Sequence, residues 1–155
     1  MSRRGQSRKR KVEVDSVYNS NLIAKLINRS MHDGKKSVAE KQIYSAFTII
    51  GKGAVSVFEK AINNIKPEME VRAKRVGGAA YQVPSQVRGE RKESLAIRWL
   101  VNAARARSNS EFHAFGEKLA QELIDASKGE GGAVKKRTDM ERVAEANKAF
   151  SHFKW

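Results

Sequence analysis

The side chains in this sequence that could do chemistry are cations, set at spacings that suit a polyanion. Arg91, Arg98 and Arg105 recur every seven residues, which stacks them on nearly one line of a helix. A row of planar guanidinium forks can meet phosphate oxygens two at a time. The competing use of these arginines is ion pairing with Glu90 or Glu93, but two acids near a helix start cannot neutralise the whole line. Asn102 stands close to the row, while Trp99 turns toward the core.

A second group lies in an alternating stretch around Gly77-Gly78. A two-residue turn there puts Val76 opposite Ala79, Lys74 opposite Tyr81 and Arg72 opposite Val83. Arg72, Lys74 and Tyr81 then share one face. Alternation sends Arg75 to the other face with Val71 and Ala73, so that a nucleic acid could be gripped on both sides of the ribbon. The plain alternative is a structural hairpin with a wet basic face.

Other cations are gathered rather than scattered. Arg3, Arg4, Arg8, Lys9, Arg10 and Lys11 form an arm without an acid between Met1 and Lys11. Lys35-Lys36 lies at a helix entrance, where free backbone N–H groups and the helix dipole favour a phosphate, although a solvated lysine pair is an equal reading. Lys135-Lys136-Arg137 precedes Thr138-Asp-Met-Glu141, a capping-box pattern. They read as a loop, unless the last helix opens earlier, near Gly132.

The whole chain holds 31 Lys and Arg against 17 Asp and Glu, a formal charge of +14 over 155 residues. That excess implies an anionic partner, and at a sequence pI near 10.2 nucleic acid leads over a membrane surface or an acidic protein. The chain lacks cysteine, which excludes disulfides, thiol catalysis and thiolate metal sites. His32, His113 and His152 are far apart without ligand spacing, and Ser94 and Ser110 have no base nearby in sequence. No enzyme, cofactor, metal or small-molecule substrate is expected. The basic arm has no apolar stretch of a secretory signal and reads as cytoplasmic, with an organellar presequence as the alternative.

Positioning these cations falls to helices. Leu22, Ile23, Leu26 and Ile27 mark a first helix over about 21–30. Ser37 and Glu40 have capping-box form and open a second, to about Ile50, with Ala39, Ile43, Ala46, Phe47 and Ile50 inward and Lys36 and Lys41 outward. Ser56 and Glu59 repeat the pattern before a third helix through Phe58, Ala61, Ile62 and Ile65, ending at Lys66-Pro67. The period then changes to that of a hairpin at about 70–88, in which Pro84 fits only an unpaired strand edge. A fourth helix carries Leu95, Trp99, Leu100 and Ala103 inward to Arg107. A fifth, through Phe115, Leu119, Leu123 and Ile124, stops near Gly129. The last runs through Val143, Asn147 and Phe150. The expected fold is mainly α: a six-helix, bundle-like body with a projecting two-stranded hairpin, as one domain over 19–155 behind a basic arm over 1–18. An isolated hairpin is marginal in water, so this one should lean on the helices or on a ligand.

Several segments carry a resemblance. Asp33-Gly-Lys-Lys-Ser37, the stretch from Glu70 to Pro84, Leu95-Ala-Ile-Arg-Trp-Leu100, Gly132-Ala-Val-Lys-Lys-Arg137 and the stretch from Ala144 to Trp155 resemble, in order, the small-subunit ribosomal protein seven family. The resemblance implies binding to the 3′ major domain of small-subunit rRNA, early organisation of the head, and neighbours among the head and platform proteins. It also implies proximity to the mRNA exit path and the exit-site tRNA, and residence in a cytoplasmic or organellar ribosome. Its RNA-contacting surface maps onto the arm, the first helix start, Lys35-Lys36, the hairpin and the arginine line. Gln86 and Gly89 depart from an acid and a proline in the bacterial pattern, and Gly51–Val55 is a shorter connection than usual, so a different bend is expected at the hairpin base. Val143 and Phe153 replace a methionine and a tyrosine. The alternative reading is a DNA-architectural protein using the hairpin, which needs an apolar wedge that Val76-Gly-Gly-Ala-Ala80 does not supply; a basic scaffold for acidic proteins is a third.

Overall fold

The computed structural model describes Gly5 and residues 13–153. Its order is α1 (Asn21–Ser30), α2 (Lys36–Ile50), α3 (Ala54–Ile65), β1 (Met69–Val76), β2 (Ala79–Gln86), α4 (Glu90–Ala106), α5 (Phe115–Lys128) and α6 (Gly132–Ala146), followed by a 3-10 helix over Lys148–Phe153. The fold is mainly helical with one antiparallel hairpin, as the periodicities predict.

Each helix buries one stripe, and the stripes meet in a single core cluster. Ile23, Ile43, Phe58, Ile62, Leu100, Leu119 and Leu123 are fully excluded from solvent. The amphipathic α5 is the hub, packing against α2, α3 and α4. Phe47 meets Phe58 at 5.9 Å between ring centroids and Tyr18 edge-on at 5.1 Å, closing the side beneath α1 and α2.

The helix starts depart from the sequence reading in an instructive way. Ser37 lies inside α2, whose N-cap is Lys35, and neither Ser37 nor Ser56 caps a helix through its side chain. Local turns do the work instead. Asp33 (φ 52°) and Gly34 (φ 74°) fold the chain back so that Lys35 N–H reaches His32 O at 2.9 Å and Lys36 N–H reaches Gly34 O at 2.8 Å. Before α3, Ala54 N–H finds Gly51 O at 3.2 Å. These bonds satisfy backbone donors at the two helix entrances without any capping side chain.

At α6 the earlier of the two starts holds: the helix opens at Gly132, so Lys135, Lys136 and Arg137 are helical rather than in a loop, and Thr138 hydroxyl bonds back to Val134 O at 3.2 Å. Its first turn is held from another helix, by Glu122 of α5, whose carboxylate accepts Ala133 N–H at 2.9 Å. α6 also ends sooner than expected, at Ala146, where Asn147 Nδ2 donates to Val143 O at 2.8 Å. Phe150 therefore sits on the 3-10 helix.

The hairpin register is the one predicted, with Arg72 opposite Val83, Lys74 opposite Tyr81 and Val76 opposite Ala79. Val87 N–H extends the pairing to Glu68 O at 2.9 Å. Counting alternate pairs from that bond puts Val71–Pro84 at a non-hydrogen-bonded site, where the missing proline N–H points out of the ladder. The ribbon does lean on helices: β1 packs against α6, and β2 against the 3-10 helix. At its base Gly89 has φ 46°, a backbone closed to proline, so the junction into α4 differs from a proline-bearing one.

Candidate nucleic-acid interface

Arg91, Arg98 and Arg105 lie on the exposed face of α4, opposite the buried Ala96, Leu100 and Ala104. At 1.5 Å per residue they span about 21 Å. Their partners are not those the sequence suggests. Glu93 is taken by Lys25 of α1 at 2.7 Å, whereas Arg91 Nε donates to Glu70 of β1 at 2.7 Å. Arg105 Nη2 donates to Ser30 O at 3.0 Å, a cation on the carbonyl end of α1. Arg98, between them, is exposed and has no partner among the described residues.

The line does not stand alone. At one end a cleft of about 370 Å³ is walled by Arg72, Lys74, Val83, Ser85, Gln86, Arg88 and Arg91. Beneath its rim the carboxylate of Glu70, only 4% exposed, binds Arg72 Nε at 2.5 Å through one oxygen and Arg91 through the other. At the other end Arg105 and Lys35 line one groove with His32 and Gln42, which joins the α2 entrance to the stripe. Lys36 stays exposed, 3.8 Å from Glu40.

Neighbouring helices add flanks. Lys25 and, one turn on, the exposed Arg29 border the line on the α1 side. On the α6 side Lys136 shares a groove with Asn102 and Ala106. The result is a basic surface drawn from α1, α2, α4, α6 and the hairpin, in which cations as far apart in sequence as Lys35 and Arg105 line one groove.

Other expected residues are placed differently. Arg137 is turned to the end of α3, donating to Asn64 O at 2.5 Å, and Glu141 is 3.7 Å away. Lys135 is exposed two positions earlier on α6. Arg75 is exposed near the hairpin tip, opposite Ala80, on the face that meets α6. The ring of Tyr81 is engaged by Phe150 at 5.3 Å and Phe153 at 5.2 Å, and Lys74 Nζ reaches Phe153 O at 3.3 Å. Arg3, Arg4, Arg8, Lys9, Arg10 and Lys11 lie outside the described residues.

Sequence reasoning missed Lys25, Arg29, Arg88 and Glu70. The first two sit four apart opposite Ile23 and Ile27, so the polar face of α1 carried a signal. Nothing local distinguishes Glu70, whose importance arises from burial and from a partner on another element. No group of His, Asp and Glu among the described residues is placed to hold a metal, and no described helix is long and apolar enough to cross a membrane.

Comparison with known proteins bears on this surface. Residues 2–148 match the family model described as ribosomal protein S7p/S5e. The chain is 55% identical to small ribosomal subunit protein uS7 of Carboxydothermus hydrogenoformans and to that of Moorella thermoacetica, and 54% identical to that of Desulfovibrio desulfuricans. Each match covers 100% of both proteins.

Proposed function

The chain belongs to the ribosomal protein S7p/S5e family, and from that premise we propose that it is a structural, non-enzymatic constituent of the small ribosomal subunit that binds the 3′ major domain of small-subunit rRNA. The observation that supports this best is the α4 arginine line, open to solvent between a basic cleft at the hairpin base and the lysines of the α2 entrance. A-form RNA hides its major-groove edges from side chains, so recognition rests on backbone shape and phosphate spacing. A surface of guanidinium groups fixed to rigid helices suits that task. By placing two or more RNA helices against one body, the protein nucleates assembly of the head among its neighbouring head and platform proteins. In this reading the protein also lies near the mRNA exit path and the exit-site tRNA.

The RNA-contacting set in this reading is Arg72, Lys74, Arg75, Tyr81, Arg91, Arg98, Arg105, Lys35, Lys36, Lys135, Lys136 and Arg137 with the six cations of the arm. Lys25, Arg29 and Arg88 join it on geometric grounds. The test is binding of the purified protein to a folded transcript of the 3′ major domain, with duplex DNA and an unrelated folded RNA as competitors. Preference for the 3′ major domain is the expected result. Equal competition by duplex DNA would favour a DNA-architectural role, and binding that survives ribonuclease would favour an acidic protein partner.

A further inference from the structure

We infer that Glu70 is a positioning residue for RNA binding, a buried anion that aims two arginines at a phosphate. The inference rests on the function proposed above and names how one part of that surface works.

A carboxylate within a surface meant for a polyanion opposes binding if charge alone matters. Glu70 is nevertheless there, 4% exposed, on the strand that faces the cleft. Burial of a carboxylate is tolerated only with close, hydrogen-bonded cations. Its two oxygens are divided between them: one takes Arg72 from β1, the other takes Arg91 from the first turn of α4. Both arginine side chains remain about half exposed, at 56% and 53%.

Those contacts use the inner edges of the two forks. Arg72 uses Nε and Nη2 and Arg91 uses Nε, and both side chains also border a cleft that Lys74 and Arg88 line. Two arginines on one carboxylate keep one positive charge in excess, and Arg88 adds another. A phosphodiester fits that arrangement, because planar forks held at a fixed separation can each offer paired donors to its oxygens. Without Glu70 the two long side chains keep their charge and lose their common anchor. The carboxylate therefore fixes the distance between a strand donor and a helix donor, something neither backbone does by itself.

The sign of the effect makes the inference testable. Glu70→Gln raises the net charge by one, so a surface acting through charge would bind RNA more tightly. The expected result is the reverse: roughly five- to tenfold weaker binding of the 3′ major domain transcript, with a log-log salt slope shallower by about one to two, as one or two phosphate contacts are lost. Glu70→Asp should recover part of the affinity. In an Arg72→Ala, Arg91→Ala background Glu70→Gln should change nothing further. If Glu70→Gln fails to fold, Arg72→Lys with Arg91→Lys keeps the charge and removes the forks, and it should weaken binding to a similar degree. Tighter or unchanged binding by a folded Glu70→Gln, or full affinity in the double lysine variant, overturns the inference while leaving the proposed function standing. Failure of the unmodified chain to bind the transcript overturns both.

Discussion

The ring of Tyr81 lies 5.2 Å from that of Phe153, tilted by 36°, so the last described turn of the chain is seated on the second strand of the hairpin. Phe150 adds a further contact with Tyr81 at 5.3 Å. A two-stranded ribbon is marginal alone in water, and this cluster with α6 gives it support on two sides. Phe153→Ala should therefore loosen the hairpin before it affects the helical core. Aromatic pairs are worth about 0.5–1.5 kcal/mol beyond area burial, which corresponds to amide exchange in β2 roughly two- to tenfold faster. Hydrogen exchange checks it; unchanged protection of β2 would mean that α6 suffices as support.

Glu122 organises the opposite end of the body. Its carboxylate, 1% exposed, accepts Arg107 Nε at 2.8 Å and Nη2 at 2.6 Å with one oxygen, and Ala133 N–H with the other. Burial disfavours the charge on Arg107, but hydrogen bonds to Asp125 and Glu122 more than offset it and hold its pKa above the ordinary value. Glu122→Ala leaves Arg107 with Asp125 as its remaining carboxylate and the first turn of α6 uncapped. The expected loss is about 1–3 kcal/mol, the range for leaving a buried donor unsatisfied, measured by urea unfolding. A loss below about 1 kcal/mol would place Glu122 among ordinary surface pairs.

The relation between sequence and fold is clearest at these two sites. Periodicity located α1, α4 and α5 because each buries a stripe whose spacing is written locally, as with Leu95, Trp99 and Leu100. The Gly77-Gly78 turn likewise determined the register down to Lys74 opposite Tyr81. Thr138 does not open α6, because the first turn of that helix is held by Glu122 from another helix and a capping box describes only neighbours in sequence. The same limit applies to the interface. The arginine line is a repeat on one helix and was legible, whereas the pairing of Arg91 with Glu70 depends on a hairpin folding back against α4.

Tyr44 gives the protein a pH-dependent tie. Its hydroxyl donates to Asp15 Oδ1 at 2.7 Å, and that hydrogen bond, with burial and the charge of Asp15, raises its pKa from 10.0 to about 12. Because the folded-state value lies above the unfolded one, the contribution is fully present below about pH 10 and is lost as the pH rises through about 12. Tyrosinate absorbance should show a component titrating near pH 12 that Tyr44→Phe removes and Asp15→Asn shifts downward. Persistence of that component in Tyr44→Phe would assign it to another ring.

Arg98 separates binding from stability most cleanly. Arg105 holds Ser30 O and Arg91 holds Glu70, so replacing either disturbs a contact within the protein as well as the surface. Arg98 has no partner among the described residues and stands between them on the exposed face of α4. Arg98→Ala should change stability by no more than about 0.5 kcal/mol, as for surface positions without special contacts. If Arg98 neutralises one phosphate, removing it weakens binding of the 3′ major domain transcript and reduces the log-log salt slope by about 0.7–0.9. Arg98→Glu should weaken binding further, since a like charge then faces the polyanion. The slope is the decisive quantity: an affinity loss with an unchanged slope would mean that Arg98 acts through something other than a phosphate. Full affinity in Arg98→Glu would remove the middle of the α4 line from the interface, leaving the two ends to bind RNA separately.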